Sequence, residues 1–113
     1  MDNKSIEIGK ILVKNIQEKK QPISYEAVMA QVGVDHFEIA KHLSEVSWKC
    51  KELGLPPLSV TVTFKDRPNE NGSGFYKEFA PCKKEEQLEV FTNYFSQCLE
   101  SDWNILLAAL EEK

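Results

Sequence analysis

The chain has 113 residues, 42% hydrophobic and 28% charged, with a formal charge of −4. That gives room for one domain spanning 1–113 and none for a second core, since domains usually run to about 100–150 residues. No apolar run approaches the roughly 18 residues of a membrane span, and the opening MDNKSIEIGK lacks the apolar core of a signal peptide. Three cysteines at wide spacing do not make a disulfide framework, so a reducing cytoplasm is expected. The charge is uneven. Residues 1–77 hold 11 basic and 10 acidic side chains, whereas 78–113 hold 3 and 8.

Residues 4–19 read as an amphipathic helix, with Ile8, Ile11, Leu12 and Ile16, joined by Ile6, at helical spacing. Pro22 stops it, because proline disfavours helical backbone in the residue before it. Ser24 caps a short helix over 24–32, with Tyr25, Val28, Met29 and Val32 on its apolar side and Gly33 at its end. Asp35, with Glu38 as its capping-box partner, opens a third helix that runs to about Glu52 and buries Ile39, Leu43, Val46 and Cys50. The period then changes to two. Leu58, Val60, Val62 and Phe64 alternate with small hydroxyls, which predicts a strand. A polar loop from Lys65 to Gly74 turns the chain back, with Gly72-Ser73-Gly74 as a hairpin turn, and Phe75–Phe79 is the expected partner strand. Helical spacing returns from Lys83 through Leu88, Phe91, Tyr94, Phe95, Cys98 and Leu99. Ser101-Asp102 re-caps a last helix with Trp103, Leu106, Leu107 and Leu110, although one bent helix fits the pattern nearly as well. The order helix, helix, tight turn, helix, hairpin, helix is that of an α+β winged-helix-like fold, a helix-turn-helix with a β-hairpin wing.

The stretch Ile23-Ser24-Tyr25 … Gly33, a helix to Glu52, then Leu55-Pro56-Pro57-Leu58 and Gly72-Ser73-Gly74-Phe75 resembles the winged-helix domain of the DNA alkyltransferases and alkyltransferase-like proteins. The likeness covers about half the chain. It implies that the 35–52 helix enters a DNA groove. The family's Pro-Cys-His-Arg nucleophile motif falls near residues 59–63, where this chain reads Ser-Val-Thr-Val-Thr, so the resemblance implies no alkyl transfer. The family arginine that replaces a flipped base aligns at about Phe37. An apolar side chain there can wedge between bases, but a buried aromatic is the more ordinary role. A looser likeness is to small bacterial helix-turn-helix-plus-wing domains beside modification-dependent HNH nucleases; no HNH module follows in this sequence, so that likeness implies the reading head alone, or a relative turned to another use, of prokaryotic or phage type.

On that footing the expected partner is double-stranded DNA. The outward positions of the third helix are read as Asp35, His36, Glu38, Lys41, His42, Glu45 and Lys49, with three acids that weigh against phosphate contact. The DNA-binding candidates are Lys41, His42, Lys49, Lys65 and Arg67, with Ser24 and Tyr25 at the first helix start. Arg67, the sole arginine, is placed at the wing tip. For each basic residue taken alone, the plainer reading is a solvated surface.

No enzyme is expected. Cys50, Cys82 and Cys98 lack metal spacing, and His36 and His42 do not share a helical face, so neither metal nor cofactor is predicted. Cys50 and Cys98 fall in apolar stripes. Cys82, after Pro81 and ahead of a helix, is the one candidate reactive thiol. The competing reading is a protein-interaction module or inhibitor that acts through the C-terminal helix. Residues 88–110 hold more apolar surface than one core contact needs, enough for a homodimer. An acidic face of Glu85, Glu86, Glu89, Glu100, Asp102, Glu111 and Glu112 suits a basic partner, or simply keeps the protein soluble.

Overall fold

The computed structural model describes residues 1–111. It contains six α-helices and one pair of very short strands among those residues: α1 (Asn3–Glu18), β1 (Ile23–Ser24), α2 (Tyr25–Val32), α3 (His36–Glu52), β2 (Val62–Thr63), α4 (Ser73–Phe79), α5 (Gln87–Glu100) and α6 (Asn104–Glu111). Single 3-10 turns at Leu58–Thr61 and Lys84–Glu86 precede β2 and α5. The architecture is mostly helical, with a small parallel sheet.

The first three helices form where the sequence puts them, and for the expected reasons. Ile8, Leu12 and Ile16 of α1 are buried, and Val13 joins them. The Ser24 hydroxyl accepts from Ala27 N–H at 3.1 Å and starts α2. Gly33 ends α2 at φ +70°, the left-handed cap conformation that glycine adopts without strain. Asp35 opens α3 by accepting from the N–H groups of both Phe37 and Glu38, at 3.0 and 2.9 Å. The reciprocal bond expected from Glu38 is not formed, and Asp35 caps the helix alone. Ile39, Leu43, Val46 and Cys50 then point into the core.

The wing does not form as a hairpin. Leu58–Phe64, read as a strand from its alternation, is a 3-10 turn followed by the two residues of β2. The hydroxyls on the supposedly outer face are as buried as the aliphatics, with Ser59, Thr61 and Thr63 at 4%, 0% and 2% exposure. Thr61 donates to Leu58 C=O at 2.8 Å, and the Ser59 hydroxyl accepts from the Ser47 hydroxyl of α3 at 2.6 Å while Ser59 N–H donates back to it at 3.0 Å. Buried hydroxyls need such partners, and a turn threaded through the core supplies them. β2 pairs with β1, in parallel, through Ile23↔Val62 and Ser24↔Thr63. Its expected partner Phe75–Phe79 is helix α4, and Gly72-Ser73-Gly74 is the start of that helix rather than a hairpin turn. Phe75, Tyr76 and Phe79 sit at helical spacing and are buried or half-buried, while Lys77 is exposed. A period of two would set Lys77 on one face with Phe75 and Phe79, whereas the helix turns it out to solvent.

The C-terminal region is two helices rather than one bent helix. Ser101 turns extended after α5, and the Asp102 carboxylate accepts from Asn104 N–H at 3.0 Å. Between the helices Trp103 is buried and donates its indole N–H to Cys98 C=O at 2.8 Å. Leu106 and Leu110 of α6 complete one continuous core with α1, α3 and the 3-10 turn. Leu110 lies directly over Gly9 of α1, where a Cβ would come within 2.8 Å of its side chain. No helix among the described residues is long and apolar enough to cross a membrane.

Candidate nucleic-acid interface

α3 presents its outer face with a different phase from that read in the sequence. Its outer stripe is Phe37, Lys41, half-buried Ser44 and Trp48, at steps of four, three and four residues, with Ala40 and Lys51 beside it. Phe37 is 78% exposed and Trp48 is 45% exposed. The ordinary expectation that Phe37 belongs to the core is therefore corrected. Asp35 fixes its position at the first turn, and its ring packs on His36 with centroids 4.2 Å apart. Two aromatic rings thus mark the ends of a stripe about 16 Å long, at a rise of 1.5 Å per residue. Lys51 lies over the Trp48 ring at 4.8 Å.

His42 is not on this face. It is 4% exposed, and its Nδ1 shares a 2.8 Å hydrogen bond with the buried Ser5 hydroxyl of α1. Asp2 approaches the same nitrogen at 4.0 Å. Ser, His and Asp meet here, but the geometry is structural. The serine is inaccessible, and both partners address one ring nitrogen, so no relay runs across the imidazole. Lys49 also lies off the stripe, half-buried and 3.7 Å from Glu52. Lys41 remains exposed, as expected.

Of the three acids that weighed against phosphate contact, two are committed elsewhere: Asp35 is a cap and Glu45 accepts from Asp2 N–H at 2.8 Å. Glu38 stays exposed on the first turn, on the flank of the stripe. A further acid reaches the stripe: Glu78 of α4 accepts from both the Ser44 hydroxyl and the Trp48 indole N–H. Trp48 also packs against Phe79, with centroids 5.1 Å apart.

Beside the stripe, a cleft of about 440 Å³ opens between α2, α3 and the segment from Phe64 to Phe79. Its walls include Met29, Ile39, Leu43, Phe64 and Phe75, with the polar edge supplied by Glu26, Ser44 and Glu78. Tyr25 stands in its wall and packs on Phe64 at 5.2 Å. Its hydroxyl accepts from Gly72 N–H at 2.8 Å, and burial pushes its pKa above the ordinary phenol value. Ser24 and Tyr25 are half-buried, and their polar atoms are already used within the fold.

Lys65 and Arg67 lie on the exposed loop after β2. Arg67 is folded back: its guanidinium sits 4.3 Å over the Phe64 ring and pairs with Glu70 at 3.0 Å and Asp66 at 3.7 Å. The loop is closed by Asn71, which donates to Val60 and Val62 C=O at 2.8 and 2.9 Å and accepts from the Tyr76 hydroxyl at 3.2 Å.

Outside this region the chemistry is sparse. Cys82 is half-buried, and the N-terminus expected to act on it belongs to a 3-10 turn starting at Lys84, with α5 beginning only at Gln87. Cys50 and Cys98 are buried as expected. Among the described residues no group of three or more His, Cys, Asp or Glu is placed to hold a metal ion. Of the acidic face, Glu112 lies outside the described residues.

Sequence reasoning missed Trp48, Ser44 and Glu78. The signal for the first two was present, since Phe37, Lys41, Ser44 and Trp48 are the complement of the buried set Ile39, Leu43, Val46 and Cys50. Glu78 was invisible, because it reaches α3 only once α4 is a helix. No protein-family model matches the chain, and neither a curated protein nor a solved structure matches it significantly.

Proposed function

We propose that the protein is a small non-catalytic DNA-binding accessory or regulatory protein. In this reading α2, the turn at Gly33 and α3 act as a helix-turn-helix. The loop from Lys65 to Asn71 flanks it, in the place a β-wing would occupy. One observation carries the proposal: Phe37, 78% exposed on the first turn of α3, heads a stripe of Lys41, Ser44 and Trp48. A protein does not gain stability by holding a phenylalanine in water, because burying such a ring is worth about 1.5–3 kcal/mol. An aromatic at the leading end of a groove-reading helix is suited to stack on or wedge between bases. Ala40 keeps the stripe shallow beside Lys41, and Glu78, bonded to Ser44 and Trp48, is the acid that a duplex must meet at its centre. Lys41, Lys51 and Lys65 supply the phosphate contacts, and Arg67 joins them if it exchanges Glu70 for a phosphate.

The test is fluorescence anisotropy with a labelled duplex, with and without 5-methylcytosine, at about 50 and 200 mM salt. Micromolar or tighter binding that weakens steeply with salt is expected. Phe37→Ala should weaken it about tenfold, the size of one lost stacking contact. Glu78→Gln removes a negative charge from the face and should tighten binding about two- to fivefold. Both side chains are exposed, so the melting temperature should stay within a few degrees. No binding at the lower salt, or equal affinity for the Phe37 variant, overturns the proposal.

A further inference from the structure

The outer edge of α5 carries an apolar stripe that is exposed at both ends among the described residues. Leu88 is 57% exposed and Leu99 43%, and half-buried Phe95 lies between them. At intervals of seven and four residues the three side chains fall in one narrow stripe. Thr92 shares the stripe, but its hydroxyl donates to Leu88 C=O at 2.8 Å and so presents mainly its methyl. The stripe rests on a firm base, since Phe95 stacks on the buried Phe91 with centroids 5.5 Å apart at 21°.

Charge identifies the occupant. Glu89 and Glu100 line one flank of the stripe, and from Gln87 to Glu111 every charged residue is acidic. We propose that α5 docks an amphipathic helical segment bearing lysine or arginine along one side of its apolar seam. Leucines of that segment would pack on Leu88, Phe95 and Leu99, and its cations would face Glu89 and Glu100, as flanking charges choose partners in paired helices. A second copy is the poorer occupant. Antiparallel pairing of two α5 helices would set Glu89 of one against Glu100 of the other, with no cation on either helix to relieve them.

The probe is a synthetic helix with leucine at the first and fourth positions of each heptad and lysine on the flanks, titrated into the full chain by calorimetry. The controls are the same helix with glutamate for lysine, and a scrambled lysine peptide. Micromolar binding of the leucine–lysine helix is expected, weakened about tenfold or more by Leu88→Asn with Leu99→Asn. These leucines are half in water, so the fold should survive, as checked by the melting temperature. Glu89→Lys with Glu100→Lys should transfer the preference to the glutamate helix. Three results would overturn the proposal: no binding, equal binding of the scrambled peptide, or affinity untouched by the leucine variants. A dimer of the unmodified chain in sedimentation that the leucine variants dissolve would also overturn it, in favour of a second copy.

Discussion

Asn71 shows how much one polar side chain can hold. Its amide donates to two carbonyls of the 58–63 segment and its oxygen takes the Tyr76 hydroxyl, so three elements meet on a side chain only 5% exposed. Asn71→Ala strands those groups away from water, and each buried unsatisfied group costs about 1–3 kcal/mol. Loss of about 2–4 kcal/mol is expected, read as a lower urea midpoint with an unchanged slope. Loss below about 0.5 kcal/mol would mean that water replaces the amide. His42 teaches a related lesson. A histidine between lysine and leucine on a helix reads as surface, yet the Ser5 hydroxyl from far along the chain gives it a reason to be inside. The residue type suggested a DNA contact, and the partner made it core.

The elements that formed as expected carry their own stop signals. α2 and α3 are capped by Ser24, Gly33 and Asp35, all within a few residues of the helices they bound. Gly33 has no atom within 4 Å of where a Cβ would stand, so a side chain there meets only backbone strain at φ +70°. Gly33→Ala should cost about 1 kcal/mol, whereas Gly74→Ala, inside α4 with open space around it, should be neutral or slightly stabilising. Thermal melts of the two variants measure the difference. Equal effects would mean that the left-handed cap is not what ends α2. The elements that failed lack local signals of this kind. Leu58–Phe64 alternates perfectly but is covered on both sides. Ser47 and Asn71, distant in sequence, donate hydrogen bonds to its Ser59 hydroxyl and its carbonyls inside the core. α4 was missed because Phe75 and Phe79 fit either period, and only the burial of Tyr76 decides for a helix.

Across the whole molecule, four neutral acids are held in the core or against it. Burial pushes the Cys50 thiol up to about 11 and raises Cys98, Tyr25 and Tyr76 above their ordinary values. The unfolded chain therefore releases these protons first as pH rises, and the folded state loses stability progressively above about pH 9. Cys50 alone, shifted from 9.0 to about 11, accounts for about 2–3 kcal/mol lost by the time pH passes its folded value. Urea midpoints at pH 8 and 10.5 should fall accordingly, and less so in Cys50→Ala. A flat profile would show that the thiols titrate without unfolding. The sequence by itself determined the helical frame: the caps, the buried stripes of α1, α2, α3 and α6, the helical spacing of α5, and the acidity of the last third. These follow from spacing and from side chains acting within a few residues, which periodicity records. Tertiary structure alone decided the phase of the face that α3 presents and the loss of the wing. It also decided the burial of His42 and the exposure of Phe37, and it brought Glu78 to the centre of the candidate interface. A hydrophobic pattern tells which residues avoid water, but which polar atoms find partners depends on what another part of the chain brings to them.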